Sequence, residues 1–328
     1  MNILITGATG FIGRALVRRL VEENNRVVAL VKDQNKADLS LPAGIEIHAA
    51  DINDKKKLAA LAPLINRIDI VIHLAACIDY KAGKEFLFRT NVEGTANILE
   101  FAGQLGVKKF VYISSIEAIG PVSWKDIPAG ETQPCHPVNM YGESKLEAEK
   151  LALRAGAELN MDTVILRLGN VYGPESLSFI LPVAKAVIAS NKAWLCFNRD
   201  IHLWHPVYVD DAIAGIISAA AVTGRGGIYI VAGEETAAAG RLAGVIEREL
   251  AADIKTYKIA GCAGIYIQLS ETWAKLKALL RSARCSRTNW AYSIEKARRE
   301  LGYAPQVSLE DGIHRTIEWA RKEGILPK

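Results

Sequence analysis

Two short stretches carry the residues best suited to moving a proton. Tyr141-Gly-Glu-Ser-Lys145 sets a phenol and an ammonium four positions apart, and the run Phe-Val-Tyr-Ile-Ser-Ser ends on Ser115. Residues four apart share one face of a helix. A phenol with an ordinary pKa of about 10 is a poor base at neutral pH. A neighbouring ammonium favours the phenolate and brings it toward working range. A serine at the end of a strand offers a hydroxyl to an oxygen on which charge develops. Ser115, Tyr141 and Lys145 therefore read as a catalytic set: Tyr141 the acid/base, Lys145 its activator, Ser115 the oxygen binder.

Such a set needs a hydride carrier beside it, and the start of the chain supplies a cradle for one. Ile3-Leu4-Ile5 reads as a buried strand, Thr6-Gly-Ala-Thr-Gly-Phe-Ile-Gly13 as a turn, and the segment from Arg14 to Glu23 as a helix. That order of elements separates a dinucleotide-binding turn from a chance glycine pattern. Gly7 permits the tight reversal, Gly10 lets the backbone approach a pyrophosphate, and Gly13 lets the helix pack close to the strand. The anion meets free N–H groups, those of Phe11 and Ile12 included, at the positive end of the helix. Lys145 is then also placed to bond the nicotinamide ribose.

The elements that follow must hold both sites. Arg26–Val31, Ile45–Ala50, Ile68–Ala76 and Phe110–Ser115 read as strands, with helical segments between them, including a long one over Phe86–Gln104 that carries Asn91. Alternating strands and helices predict right-handed βαβ units and a parallel sheet, and such sheets bind ligands beyond the C-terminal ends of their strands. Gly10, Lys32, Asp51, Ala75 and Ser115 fall along that edge. Val31 fills the usual acidic place at the end of the second strand and Lys32 follows, which suits a 2′-phosphate and so NADP over NAD, which remains the other form. Asp51 can accept from the adenine amino group or cap the helix after it, and Asp210-Asp211 reads as the cap of a helix over Ala212–Ala221. The small pair Ala75-Ala76 lets a cofactor lie against the backbone. His73, inside an apolar run, reads as a satisfied core histidine.

With 328 residues, the chain has room for one large α/β domain and a smaller one. A net charge of +4 gives no reason to invoke nucleic acid. The five cysteines lie far apart without a CxxC pair, so no disulfide framework or metal site is expected. The glycine turn at residue 7 and the short apolar run over Ala212–Val222 leave the expectation of a cytoplasmic protein without signal peptide or transmembrane segment.

Taken together, the motifs resemble those of the extended short-chain dehydrogenase/reductases, the NAD(P)-dependent epimerase/dehydratase group. The resemblance rests on Thr6–Gly13, Asp51-Ile52, His73-Leu-Ala-Ala76, Asn91-Val-Glu-Gly-Thr95, Ser114-Ser115, Tyr141-xxx-Lys145, Arg167-Leu-Gly-Asn-Val-Tyr-Gly-Pro174, Val209-Asp-Asp211 and Leu301-Gly-Tyr-xx-Pro305. It implies an α/β fold: a Rossmann-type doubly wound parallel sheet over 1–167, rejoined by 205–232, with a smaller C-terminal α/β substrate domain drawn mainly from 168–328. It implies hydride transfer at a secondary alcohol or ketone carbon. It also adds Ile52, Leu74, Ala75, Ala76 and Asn91 to the cofactor contacts and predicts a homodimer through the helices Phe86–Gln104 and Tyr141–Arg154.

The substrate is less sharply drawn. Dehydratases of the group carry Asp-Glu after the serine or threonine; here Ile116 cannot donate a proton to a leaving hydroxyl, and only Glu117 matches. Asn170 matches the asparagine that contacts substrate in the nucleotide-sugar epimerases. Trp204 stands where those enzymes carry a diphosphate-binding arginine, with Arg199 a little earlier. Glu117, Asn170, Arg199 and Trp204 are the substrate candidates. A nucleotide-sugar epimerase is the leading expectation. A reductase of an apolar hydroxy or keto compound is the alternative, supported by Lys32, Trp204 and the apolar segment 261–280. A nicotinamide-binding sensor without chemistry is the third reading.

Overall fold

The computed structural model describes residues 1–189, 203–224, 226–250 and 289–327. In chain order the elements are β1 (Asn2–Thr6), α1 (Phe11–Glu22), β2 (Arg26–Val31), α2 (Gln34–Ser40), β3 (Glu46–Ala49), α3 (Lys55–Leu61), β4 (Ile70–His73), α4 (Lys84–Phe88), α5 (Gly94–Gln104), β5 (Lys109–Ser115), α6 (Met140–Glu158), β6 (Asp162–Leu168), β7 (Asn170–Tyr172) and α7 (Ile180–Ala189). They continue with β8 (Leu203–Trp204), β9 (Pro206–Tyr208), α8 (Val209–Ala221), β10 (Gly227–Val231), β11 (Ala237–Ala238), α9 (Ala239–Glu249), α10 (Glu295–Leu301) and α11 (Leu309–Lys322).

Seven strands form one parallel sheet in the order β10-β6-β5-β4-β1-β2-β3. The fold class expected from the sequence is the one observed. The central strands are apolar on both faces because helices cover both: Ile3, Leu4, Ile5, Val71, Ile72 and Val111 are fully buried. The winding direction reverses between β1 and β4, which pair in register from Ile3–Ile70 to Thr6–His73. A crevice at the C-terminal ends of two such strands is where a doubly wound sheet takes its ligand.

Two local readings of the sequence change. The expected long helix over Phe86–Gln104 is interrupted by one wide turn of π type over Arg89–Glu93, with Asn91 at its middle. Asp210 and Asp211 do not cap the helix that follows them. That helix starts at Val209, with Tyr208 as its N-cap, and the two aspartates lie inside its first turn. Asp211 turns inward and accepts from the backbone amides of Gln306 at 2.8 Å and Val307 at 3.1 Å. Those bonds tie the C-terminal segment to the strand-rich half of the molecule.

The sheet's outer edge at β10 is covered by side chains. The Glu131 carboxylate accepts from the Ile230 amide at 3.0 Å, and the Lys296 ammonium donates to the Ile228 carbonyl at 2.7 Å.

Candidate active site

The glycine turn is built as its residues require. Gly7 has φ +73, and a Cβ there would sit 2.7 Å from the Ala75 amide nitrogen and 2.8 Å from the Leu74 carbonyl carbon. β1 and the end of β4 therefore meet backbone to backbone, which no side chain would allow. A Cβ on Gly13 would lie 2.2 Å from the Gly7 carbonyl oxygen, so only glycine lets α1 start this close to the turn. Gly10 is the N-cap of α1 and brings no side chain to satisfy the first-turn amides. The Phe11 and Ile12 N–H groups are the unpaired donors expected of an anion cradle. These residues fit a dinucleotide pyrophosphate.

An ion pair stands past the ends of β2 and β3. Lys32, at the end of β2, lies 2.8 Å from Asp51. Burial works to raise the Asp51 carboxyl, but bonds from Lys32 and from the Asn53 backbone outweigh it and the pKa is lowered. Asp51 does not cap α3; Asp54 does, accepting from the Lys57 amide. Ile52 is packed against Gly94, whose Cβ position falls 2.6 Å from its Cδ1, so its side chain fixes α5 beneath the site.

At the other end of the crevice, Ser115 closes β5 and caps the short turn Ile116–Ala118, accepting from the Glu117 amide at 3.1 Å. Asn139 caps α6 by accepting from the Gly142 amide at 2.7 Å. A Cβ on Gly142 would lie 2.3 Å from the Glu117 carbonyl oxygen. The glycine after Tyr141 thus presses the start of α6 onto the turn after Ser115 and sets the two hydroxyls together. Burial raises the Tyr141 pKa well above the ordinary phenol value, the Glu117 carboxylate adds to the rise, and a hydrogen bond with Ser115 opposes it.

Lys145 is two per cent exposed. Its ammonium donates to the Ile113 carbonyl at 2.6 Å and lies 4.2 Å over the Tyr112 ring. Burial lowers its pKa to about 7, against the pull of the Glu149 carboxylate. The sequence reading had this ammonium lowering the phenol. In the structure it is bonded to β5, and desolvation governs Tyr141 instead. Asn91 holds the neighbouring backbone: it accepts from the Cys77 amide at 2.7 Å and donates to the Cys77 carbonyl at 3.0 Å and to Ser144 at 2.9 Å.

Glu117 takes two donors, the Tyr80 hydroxyl and the Asn139 amide, the latter at 2.6 Å. The Tyr80 ring stands edge-on to Tyr141, centroids 5.7 Å apart. Sequence reasoning missed both partners. Asn139 carried a helix-start signal, a capping residue just before a helical run; Tyr80, in a loop, carried none. Asn170 lies two residues past Leu168, which pairs with Ser115 across β5 and β6. Its carboxamide oxygen is buried without a partner among the described residues. Trp204 packs against Phe179, ring centroids 5.7 Å apart. Arg199 and the segment 261–280 lie outside the described residues. Among the described residues no group of three or more His, Cys, Asp or Glu could hold a metal ion.

A doubly wound parallel sheet with a glycine turn at its switch point and a Ser–Tyr–Lys set at the next strand end defines an extended short-chain dehydrogenase/reductase. The chain belongs to the NAD dependent epimerase/dehydratase family, whose model matches residues 3–232. Among curated proteins it is 27% identical to a dTDP-glucose 4,6-dehydratase of Streptomyces griseus, over 98% of this chain and 94% of that one. It is also 27% identical to a 3-beta-hydroxysteroid dehydrogenase of Mycolicibacterium neoaurum, over 95% and 89%. The UDP-glucose 4-epimerase of Thermotoga maritima shares the fold, with a TM-score of 0.80 at 24% identity over 98% of this chain and 99% of that one. The chain is an enzyme of this nicotinamide-dependent family.

Proposed function

We propose that the protein is an NAD(P)-dependent epimerase acting on a nucleotide sugar, with Ser115, Tyr141 and Lys145 as its catalytic residues. The observation that carries the substrate class is Asn170. A buried amide oxygen without a donor among the described residues is costly, and a substrate rich in hydroxyls offers one. Bound nicotinamide supplies the hydride acceptor and donor. Tyr141 takes the proton of the reacting hydroxyl and returns it, Ser115 bonds the same oxygen, and Lys145 turns from Ile113 toward the ribose and the phenol. Gly7, Gly10, Phe11, Ile12 and Gly13 hold the pyrophosphate, Asp51 and Ile52 the adenosine, and Leu74, Ala75, Ala76 and Asn91 the floor beneath the nicotinamide half. Glu117 accepts a substrate hydroxyl in exchange for Tyr80.

NADP is the favoured form and NAD the other. Lys32 is 77% exposed in its bridge to Asp51, and an exposed bridge of this kind holds by roughly 0–1 kcal/mol. A 2′-phosphate can draw the ammonium away at little cost.

A second reading, reduction of an apolar hydroxy or keto compound, is favoured by Trp204. An indole packed at a tilt against Phe179 offers an apolar wall where a diphosphate needs a cation. We assign substrate binding mainly to 168–328 apart from 205–232, and place the enzyme in the cytoplasm as a homodimer through α4–α5 and α6; no helix among the described residues is long and apolar enough to cross a membrane. The test is to purify the protein, assay bound dinucleotide, and follow UDP- and dTDP-hexoses by NMR. Appearance of the 4-epimer without net change in NADH absorbance supports the epimerase. Steady consumption of free NADPH with hydrophobic ketones, and no epimer, supports the second reading and overturns the first.

A further inference from the structure

His73 takes no part in the site as described, yet it bridges Thr6 at the glycine turn and Thr95 on α5. It is fully buried at the end of β4. Its Nε2 is 3.0 Å from the Thr95 hydroxyl, and Thr95 gives its one proton to the Asn91 carbonyl at 2.6 Å. Toward the ring Thr95 can only accept, so Nε2 carries the proton. Burial, helped by the nearby Lys145 ammonium, lowers the imidazole pKa to about 3, and the ring is neutral. Nδ1, 2.6 Å from the Thr6 hydroxyl, is therefore the acceptor. Thr6 in turn accepts from the Ala75 amide at 3.2 Å. The bonds run one way, from Ala75 to Thr6 to His73 to Thr95 to Asn91, and each hydroxyl and ring nitrogen in the chain is used.

The two ends of this chain are the two halves of the cradle. Thr6 and Ala75 form the backbone junction at Gly7, where the pyrophosphate sits. Asn91, in the wide turn before α5, clamps Cys77 and Ser144, and Ser144 donates to the Tyr141 carbonyl at 2.7 Å. We propose that His73 is a positioning residue that sets Asn91 against the Gly7 junction and so orders the nicotinamide half of the cofactor site, without touching cofactor or substrate. The inference rests on the nicotinamide reading above. A fully satisfied buried network specifies one arrangement, and a broken one leaves several of similar energy.

The experiment compares Kd for NADH with Kd for ADP, which fills only the adenosine and pyrophosphate half. It uses the full chain and its Thr95→Val and His73→Gln variants. Thr95→Val keeps the side-chain volume and removes the link. NADH binding is expected to weaken about fivefold or more, the size of one net hydrogen bond, while ADP binding changes less than about twofold. His73→Gln, with one acceptor and one donor, is expected to retain most of the NADH affinity. Equal weakening of NADH and ADP would overturn the proposal. So would ¹⁵N NMR of the wild-type imidazole showing an Nδ1–H tautomer or an imidazolium at pH 7, a measurement that needs no variant to fold. Wild-type protein that binds ADP but neither NADH nor NADPH would instead overturn the nicotinamide reading.

Discussion

The Lys145 ammonium is bonded to the carbonyl of Ile113, 2.6 Å away on β5. A buried ammonium with one carbonyl partner is held near its neutral form, and its pKa falls to about 7. In the unfolded chain a lysine titrates near 10.4. Between those two values the unfolded state binds more protons, so this group makes stability rise with pH. The cost is fully present below about pH 7 and gone above the unfolded pKa. Urea titrations from pH 6.5 to 9.5 should show the rise, and Lys145→Met should flatten it. The same variant is expected to keep or gain stability at pH 6.5 while losing turnover.

Tyr141→Phe removes the proton carrier and leaves its ring. We expect turnover to fall by roughly 10²–10⁴, the usual yield of general acid–base catalysis, with the melting temperature little changed. Near-wild-type turnover in steady-state assays would exclude Tyr141 as the acid/base. Because burial raises this phenol, ultraviolet titration of the cofactor-free protein should assign no tyrosinate to Tyr141 near neutrality.

Lys32→Ala should separate the two cofactors. Loss of one phosphate contact from a partly exposed lysine is expected to weaken NADPH by about tenfold and NADH by less than about twofold. Fluorescence titration of both nucleotides reads the ratio. An unchanged ratio would remove Lys32 from the ribose site.

Gly13→Ala brings a methyl group within 2.2 Å of the Gly7 carbonyl oxygen. Overpacking of that kind costs roughly 1–3 kcal/mol, and here it distorts the anion cradle. Dinucleotide affinity should drop at least about tenfold, measured by calorimetry, even where the far-ultraviolet spectrum is retained.

Asp211→Ala leaves the Gln306 and Val307 amides without their acceptor. Both bonds are only partly buried, and a hydrogen bond to a charged group is worth about 1.5–3 kcal/mol, so chemical denaturation should find the variant less stable by about 2 kcal/mol. Limited proteolysis should then release a C-terminal fragment beginning near residue 306 sooner than from wild type.

What the sequence made legible was periodic or punctuated. β1, the glycine turn and α1 follow from an apolar run, three glycines and a 3.6-residue period. Ser115 and Tyr141 were legible as types at strand and helix ends. The bond between Lys145 and Ile113 was not, because helical spacing places a side chain on a face and leaves its rotamer open. Asp210 and Asp211 misled for a related reason. Acidic residues serve equally at a cap and within a first turn, and the true partners of Asp211 lie far along the chain. Tyr80 gave no signal, since its contact with Glu117 joins two loops brought close only by folding. The wide turn at Asn91 was hidden because its flanks keep helical periodicity on both sides.

The covered edge at β10 bears on whether a strand from another chain can add to the sheet. An incoming strand at that edge would have to dislodge Glu131 from Ile230 and Lys296 from Ile228 before it gained a single rung of its own. Fibre-like growth by adding ladder to ladder is therefore blocked at that end by two side chains from distant parts of the chain.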